Sequence, residues 1–208
     1  MGKRDFSVKK RGVTTRKDKP VYLIITEGKN KTETLYLSNF QEQGRPYSIR
    51  FVKAGSRTDV EYLYQAILDR WNELGLSGEN EDRAFVIIDI DNDPIKARKV
   101  CELIQSNQNE RIDFIVSNPT FEFWILLHFK YSTKAFLNGE AVITELKKYI
   151  PDYKKNMDCY LKCGDKIEEA LKNYNKLEKH YSDLKWPSVE CNPRTDMGEL
   201  MCLLSRWK

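Results

Sequence analysis

The hydrophobic positions of the first 130 residues fall into two alternating patterns. Short runs rich in β-branched and aromatic residues predict strands. The runs at 21–26 and 83–89 are continuous, the run at 48–54 alternates, and a fourth lies at 111–117. Segments with apolar residues at helical spacing follow each run and predict helices, at 31–43, 58–74, 94–106 and 121–129. Strand and helix alternate with short links, which favours a mostly parallel sheet with helices on both faces.

The pattern after residue 130 is helical throughout. Amphipathic spacing predicts helices at 141–149, 165–181 and 195–207. Because no repeat and no Gly/Ser-rich linker sets this segment apart, we expect it to pack on the sheet. The chain therefore divides into a basic arm, an α/β domain and a helical C-terminal extension, with expected bounds 1–19, 20–130 and 131–208.

Composition narrows the class of protein. The chain has 208 residues, a length that suits one domain. Of these residues 40% are hydrophobic and 32% are charged, as expected for a domain with a charged surface. No apolar run reaches the roughly 18 residues that a membrane helix needs, and the basic N-terminus lacks the apolar stretch of a secretory signal. Five irregularly spaced cysteines and two histidines favour neither a disulfide framework nor a zinc finger. We expect a reduced, cytoplasmic protein.

Positive charge is concentrated at the N-terminus. Residues 1–19 hold eight basic and two acidic side chains, so the arm carries +6 and the rest of the chain −2. An arm of this kind suits a polyanion, because each Lys or Arg beside a phosphate releases counterions; the candidate nucleic-acid contacts are Lys9, Lys10 and Arg11. The alternatives are a solvated tail or contact with a protein partner.

Acidic residues follow two of the predicted strands. Glu27 comes directly after the first, and Asp89, Asp91 and Asp93 begin at the end of the third. Ligands of parallel sheets bind beyond the carboxyl ends of the strands, and closely spaced carboxylates repel unless a cation neutralises them. Oxygen ligands favour Mg²⁺ or Mn²⁺. The alternative is that Asp91 or Asp93 caps the helix that begins at Pro94.

The turn after the first strand also contains lysines. Gly28 permits a sharp turn, and Lys29 and Lys31 flank Asn30 in the sequence TEGKNKTE. These lysines stabilise charge on a phosphate or, alternatively, neutralise Glu27 and Glu33.

Several motifs together resemble a known family. IITEGKNKTE and VIIDIDND are similar to the acidic motifs of the Toprim fold. SNPTFEFWILLHF at 117–129 and the C-terminal CNPRTDMGELMCLL resemble the signature of the RloB-like family. Members of that family resemble Toprim nucleases and are found in abortive-infection and restriction-linked defence operons. The resemblance implies a Toprim-like α/β fold, a metal-dependent nuclease and a companion ATPase. Because this chain has no Gly-rich Walker loop, any ATP dependence would come from that companion.

The resemblance also implies roles for particular residues. Glu27 matches a metal ligand or general acid/base, and Asp89 and Asp91 match a pair that holds a divalent metal. Asp93 extends that pair, and Glu122 adds a carboxylate for a second metal. The alternative for Glu122 is stabilisation of the helix that it begins.

Two further residues are open to more than one interpretation. Arg194, after Asn192-Pro193, is a candidate phosphate contact. His128 lies six residues after Glu122, which is about 240° around a helix, so a core position is favoured over a shared site.

The sequence therefore predicts a nuclease dependent on Mg²⁺ or Mn²⁺ that hydrolyses phosphodiesters of DNA or RNA. The alternative is a non-catalytic module that binds nucleic acid or a partner and is regulated by a companion ATPase. A third interpretation, a small-molecule phosphotransferase, would need a phosphate loop richer in glycine. We expect no membrane partner, and a homo-oligomer is an open alternative.

Overall fold

Four parallel strands form the centre of the protein. The computed structural model describes residues 19–27, 32–42, 44–55, 57 and 59–205. The sheet order is β2-β1-β3-β4-β5, with the last strand antiparallel. The strands are β1 Val21–Thr26, β2 Ser48–Val52, β3 Arg83–Asp89, β4 Ile112–Asn118 and β5 Arg194–Thr195.

Helices cover both faces of the sheet, as the sequence predicts. The helices are α1 Thr32–Ser38, α2 Val60–Glu73, α3 Pro94–Ser106, α4 Glu122–Leu127, α5 Gly139–Leu146, α6 Tyr160–Cys163, α7 Ile167–His180 and α8 Met197–Ser205, with 3₁₀ turns at Gly78–Asn80 and Gly164–Lys166. Alternate residues of β1 point to opposite faces of the sheet. Leu23 packs in the core formed with α2 and α3, and Ile24 packs in the core formed with the other helices. The mostly parallel, two-faced α/β fold is confirmed.

Strand register brings the ends of the parallel strands to one edge. Thr26 lies beside Ile87, and Asp89 lies beside Ser117. Residues that follow β1, β3 and β4 therefore meet at the same edge of the sheet.

The segment after residue 130 is not purely helical, which corrects the sequence interpretation. Its β5 pairs with β4 through Ser117 and Thr195, whose hydroxyls lie 2.9 Å apart. A strand of two residues is too short to give an alternating pattern. Because 194–195 form this strand, α8 begins at Met197 instead of Thr195. Helix α7 contacts both α4 and α8, and α8 contacts β4.

Helix α1 is shorter than predicted, ending at Ser38. The Ser38 hydroxyl and the Asn39 amide both donate to the Leu35 carbonyl, at 2.7 and 2.9 Å. Such side-chain bonds compete with helix continuation. None of the helices in the described part of the chain has the length and apolar character to cross a membrane.

Candidate functional site

Five carboxylates gather at the carboxyl edge of the sheet. Glu27 follows β1, Glu33 lies in the first turn of α1, Asp89 ends β3, Asp91 follows it, and Glu122 begins α4. Their charges act on one another: Glu33, Glu122 and Asp91 all raise the pKa of Asp89. The topology of the sheet thus concentrates negative charge at the edge where parallel sheets bind ligands.

A hydroxyl joins two of these acids. Thr120 Oγ1 lies 2.9 Å from Asp89 Oδ2 and 2.6 Å from Glu122 Oε2, and Tyr153 donates to Glu122 Oε1 at 2.7 Å. A hydroxyl has one proton, so Thr120 donates to only one of its two neighbours, and without a cation the other contact needs a proton on a carboxyl group. Burial, followed by the neighbouring charges, raises the pKa of Asp89 well above its usual range.

Two oxygens of the cluster lack partners. Asp89 Oδ1 and Glu33 Oε2 are buried and have no hydrogen-bond partner among the described residues. Burial, with smaller contributions from the charges of Glu122 and Glu27, raises the pKa of Glu33 to about 7. Buried carboxylate oxygens without donors are costly when they are charged, and carboxylate oxygens are the ligands that a hard divalent cation prefers. Asp89, Glu33 and Glu122 therefore fit such a cation chemically.

Glu27 and Asp91 form the outer part of the site. Lys96 Nζ lies 2.8 Å from both carboxylate oxygens of Glu27 and 3.3 Å from Asp91 Oδ2. Burial raises the pKa of Glu27, and Lys96 opposes that shift. Among the described residues, no three acidic, histidine or cysteine side chains form a group arranged to hold a metal ion in this conformation. Lys96 bridges the outer acids, and Thr120 bridges two of the inner ones.

The turn that carries Asp91 has an unusual backbone. Asp91 and Asn92 have φ values of 53° and 60°, the left-handed region that side chains other than glycine rarely adopt. The Asp91 amide donates to the Pro119 carbonyl, and the Asn92 amide donates to Asn118 Oδ1, both at 3.0 Å. The loop after β4 therefore holds this turn in place.

A third segment supports the same turn. Asn192 Nδ2 donates to Asn92 Oδ1 at 2.8 Å and to the Phe136 carbonyl at 2.7 Å. Asn92 Nδ2 donates to the carbonyls of Phe136 and Leu137, both at 3.0 Å. The asparagines of the two Asn-Pro sequences thus meet on one loop and set the position of Asp91.

A comparison with family models identifies the family of the chain. A family model described as RloB-like protein matches residues 22–204. The chain belongs to the RloB-like family. No curated protein and no solved structure matches it.

The predicted residues of this RloB-like chain separate into three groups. Glu27, Asp89, Asp91 and Glu122 come together at one edge of the sheet. The predicted basic contacts in the arm and in the first turn lie outside the described residues: Lys9, Lys10, Arg11, Lys29 and Lys31. Asp93 follows the capping alternative, and Arg194 is buried against other side chains.

Asp93 is exposed and caps a helix. Its Oδ1 accepts from the amides of Ile95 and Lys96 at 2.8 and 3.3 Å, so it is the N-cap of α3. The capping alternative therefore describes its role in this conformation. Its carboxylate also lines a cavity of about 250 Å³ beside Glu27.

Arg194 is buried, which argues against a phosphate contact. It is 9% exposed, pairs with Glu178 at 2.9 Å, and its guanidinium carbon lies 4.9 Å from the ring centre of Trp186. A guanidinium held between these groups stabilises the C-terminal segment and does not face solvent.

His128 is a core residue in the described structure. Its Nδ1 lies 3.1 Å from the Trp124 carbonyl and its Nε2 lies 3.0 Å from the Tyr36 hydroxyl. Because a carbonyl only accepts, Nδ1 carries the proton and Nε2 accepts from Tyr36. Burial lowers the pKa of His128 to about 4, so the ring is neutral and belongs to packing.

The sequence interpretation missed four residues of this site: Glu33, Lys96, Thr120 and Tyr153. Glu33 had a signal, because an acid in the first turn of a helix that follows a parallel strand faces the carboxyl edge. Lys96 also had one, since it lies in the first turn after the aspartate motif. Thr120 and Tyr153 had no such signal, because their roles depend on contacts between separate segments.

Proposed function

We propose that this RloB-like protein is a divalent-metal-dependent nuclease that hydrolyses phosphodiesters of DNA or RNA. The observation that carries the proposal is the pair of buried, unpartnered oxygens on Asp89 and Glu33 within an acidic cluster. Such a cluster at the carboxyl edge of a parallel sheet suits Mg²⁺ or Mn²⁺ and, through it, a phosphate substrate.

The inner acids Asp89, Glu33 and Glu122 would hold the metal, with Glu27 and Asp91 as outer ligands. When bound, the metal supplies electrostatic stabilisation of the negative charge that develops on a phosphodiester. Thr120 and Tyr153 orient Glu122 through both of its oxygens, and the asparagine contacts orient Asp91.

Glu27 is placed to exchange protons with solvent. Its side chain is 20% exposed, and burial raises its pKa, which brings a carboxylate closer to the range of a general base. Lys29 and Lys31 of the adjacent turn are proposed to stabilise negative charge on the phosphate, and Lys9, Lys10 and Arg11 to bind the nucleic-acid backbone.

The family resemblance also supports a proposal for the role of the protein in the cell. We propose that the protein is the cytoplasmic effector of a bacterial anti-phage or abortive-infection system, with a companion ATPase as its partner. The chain contains no Gly-rich Walker loop, so any ATP dependence would come from that partner.

Cleavage of plasmid, single-stranded DNA and total tRNA tests the activity. Each substrate is incubated with Mg²⁺, Mn²⁺ or EDTA, using wild type, the double variant Asp89→Asn/Asp91→Asn and the exposed-site control Glu140→Gln. We expect metal-dependent cutting that the double variant loses and the control retains. Cutting that persists in the double variant, or no cutting by wild type with or without the companion ATPase, would contradict the proposal.

A second candidate is a non-catalytic module that binds nucleic acid or a partner. The bridging of Glu27 and Asp91 by Lys96 favours it, because the ammonium compensates part of their negative charge without a metal. This candidate predicts that nucleic-acid or partner binding is unchanged by EDTA and by Asp89→Asn, with no cleavage in any combination.

A further inference from the structure

Lys96 makes the closest charged contacts described at the outer acids. Its Nζ is equidistant, at 2.8 Å, from the two oxygens of Glu27 and reaches Asp91 at 3.3 Å. The lysine side chain is 17% exposed, and that of Glu27 is 20% exposed. A pair this sheltered from water is screened less than a surface ion pair.

The neighbouring carboxylates keep Lys96 positively charged. Burial acts to lower the pKa of Lys96, but Glu27 and then Asp91 and Asp89 outweigh it, so the net pKa is raised. Lys96 is therefore an ammonium at neutral pH. It joins the end of β1 to the first turn of α3 and balances part of the negative charge of the edge.

The Lys96 ammonium occupies the place where a divalent cation would contact both Glu27 and Asp91. Ligands of Mg²⁺ lie at about 2.1 Å, so a divalent ion cannot share Glu27 and Asp91 with Nζ at its present distances. A lysine stem has four flexible carbons, and Lys96 borders the 250 Å³ cavity that Asp59, Asp93 and Lys99 also line. The cavity therefore offers the Lys96 side chain space beside its present position, next to the carboxylates of Asp59 and Asp93.

We propose that Lys96 is a built-in counter-ion that holds Glu27 and Asp91 together in the metal-free protein and competes with a divalent cation for them. The proposal deepens the proposed metal site and rests on it. The lysine moves into the adjacent cavity when the cation binds, and the protein thereby avoids an uncompensated acidic edge in either state.

Metal binding measured by calorimetry tests this competition without any activity readout. Mn²⁺ is titrated into EDTA-free wild type, Lys96→Met and the control Lys99→Met, whose lysine lines the same cavity but pairs with Glu61 at 3.1 Å. We expect Lys96→Met to bind Mn²⁺ roughly tenfold more tightly, since a like charge close to the ion is removed, and Lys99→Met to match wild type. Equal or weaker binding by Lys96→Met would overturn the proposal.

Thermal unfolding provides a second readout, and Lys96→Gln a milder variant in case Lys96→Met folds poorly. In EDTA we expect both Lys96 variants to melt below wild type, because Glu27 and Asp91 lose their counter-ion. Saturating Mn²⁺ should raise their melting temperatures more than it raises that of wild type. A Mn²⁺ gain no larger than that of wild type would contradict the competition.

These outcomes are separable from those of the proposed nuclease. Tighter Mn²⁺ binding by Lys96→Met together with no cleavage of any substrate would support the counter-ion and overturn the nuclease. Absence of Mn²⁺ binding in every variant, including Lys96→Met, would overturn the counter-ion whatever the cleavage assays give.

Discussion

The hydroxyl of Tyr153 donates a 2.7 Å hydrogen bond to Oε1 of Glu122. The two residues are 31 positions apart in the chain, and both are almost fully buried. The contact joins the segment between α5 and α6 to the first turn of α4. The loop after α5 therefore helps to fix an acid of the candidate metal site.

Removing that hydroxyl should loosen Glu122. We expect Tyr153→Phe to lower the free energy of unfolding by about 1–3 kcal/mol, since a buried acceptor loses its donor, and to weaken Mn²⁺ binding. Urea unfolding and calorimetry measure the two effects. Tyr47→Phe is the control, because its hydroxyl donates at 3.1 Å to the Leu204 carbonyl away from the site; metal binding that falls equally in both variants would refute a local role.

Glu33 should behave as a metal ligand, although the family resemblance assigns that role only to Glu27 among the acids of TEGKNKTE. Its raised folded pKa, about 7, means that its stabilising contribution is present below pH 4.5 and is lost as the pH rises through 7. In EDTA at pH 8, we therefore expect Glu33→Gln to be more stable than wild type by about 1–3 kcal/mol, with no difference at pH 4.

In the presence of Mn²⁺ we expect wild type to be more stable than Glu33→Gln, the reverse of the order in EDTA. Mn²⁺ stabilises the protein that binds it, so wild type should gain more thermal stability from Mn²⁺ than Glu33→Gln, while Glu140→Gln should gain as much as wild type. Equal Mn²⁺ gains in wild type and Glu33→Gln would exclude Glu33 as a ligand.

Asp196, which lies away from the candidate metal site, should make the stability of the protein depend on pH. Its Oδ2 accepts from Trp186 Nε1 at 2.7 Å and from the Val116 amide at 3.2 Å, and burial raises its pKa to about 7. The contribution of Asp196 to stability is therefore full below pH 4 and is lost as the pH rises toward 7. His128, whose pKa is lowered to about 4, acts oppositely, losing stability as the pH falls from 6.5 to 4.

Substitution separates these two opposing contributions. We expect Asp196→Asn to gain stability relative to wild type between pH 4 and pH 8, by about 1–3 kcal/mol, in urea unfolding with EDTA present. The exposed Asp69→Asn should follow wild type across the range. A constant difference between Asp196→Asn and wild type would show that Asp196 does not titrate in this window.

Asn192 should affect metal binding without touching a carboxylate. Asn192→Ala removes three hydrogen bonds around the Asp91 turn, so we expect a loss of about 1–3 kcal/mol in stability and weaker Mn²⁺ binding. Asn107→Ala is matched to it, because Asn107 bonds the start of β4 at the opposite edge of the sheet. We expect a similar stability loss in Asn107→Ala with Mn²⁺ affinity unchanged; unchanged Mn²⁺ affinity in Asn192→Ala would remove its positioning role.

The sequence by itself determined the four parallel strands, the direction of the sheet and the edge where the acids lie. Continuous apolar runs predicted β1 and β3 with the bounds that the structure has, and Pro94 marked the first residue of α3. Because parallel strands end at a common edge, Glu27, Asp89 and Asp91 were expected together. These features depend on local periodicity and chain direction, which a sequence displays directly.

Only the tertiary structure decided which partner each side chain has. Asn192 and Asn92 lie 100 positions apart, and Lys96 and Glu27 lie 69 apart, so no spacing rule connects them. Arg194 and Asp93 had the right chemistry for the predicted site, yet burial against Glu178 and the cap of α3 gave them other contacts. Packing between distant segments sets burial and partners, and these determine whether an ionisable side chain serves the fold or the site.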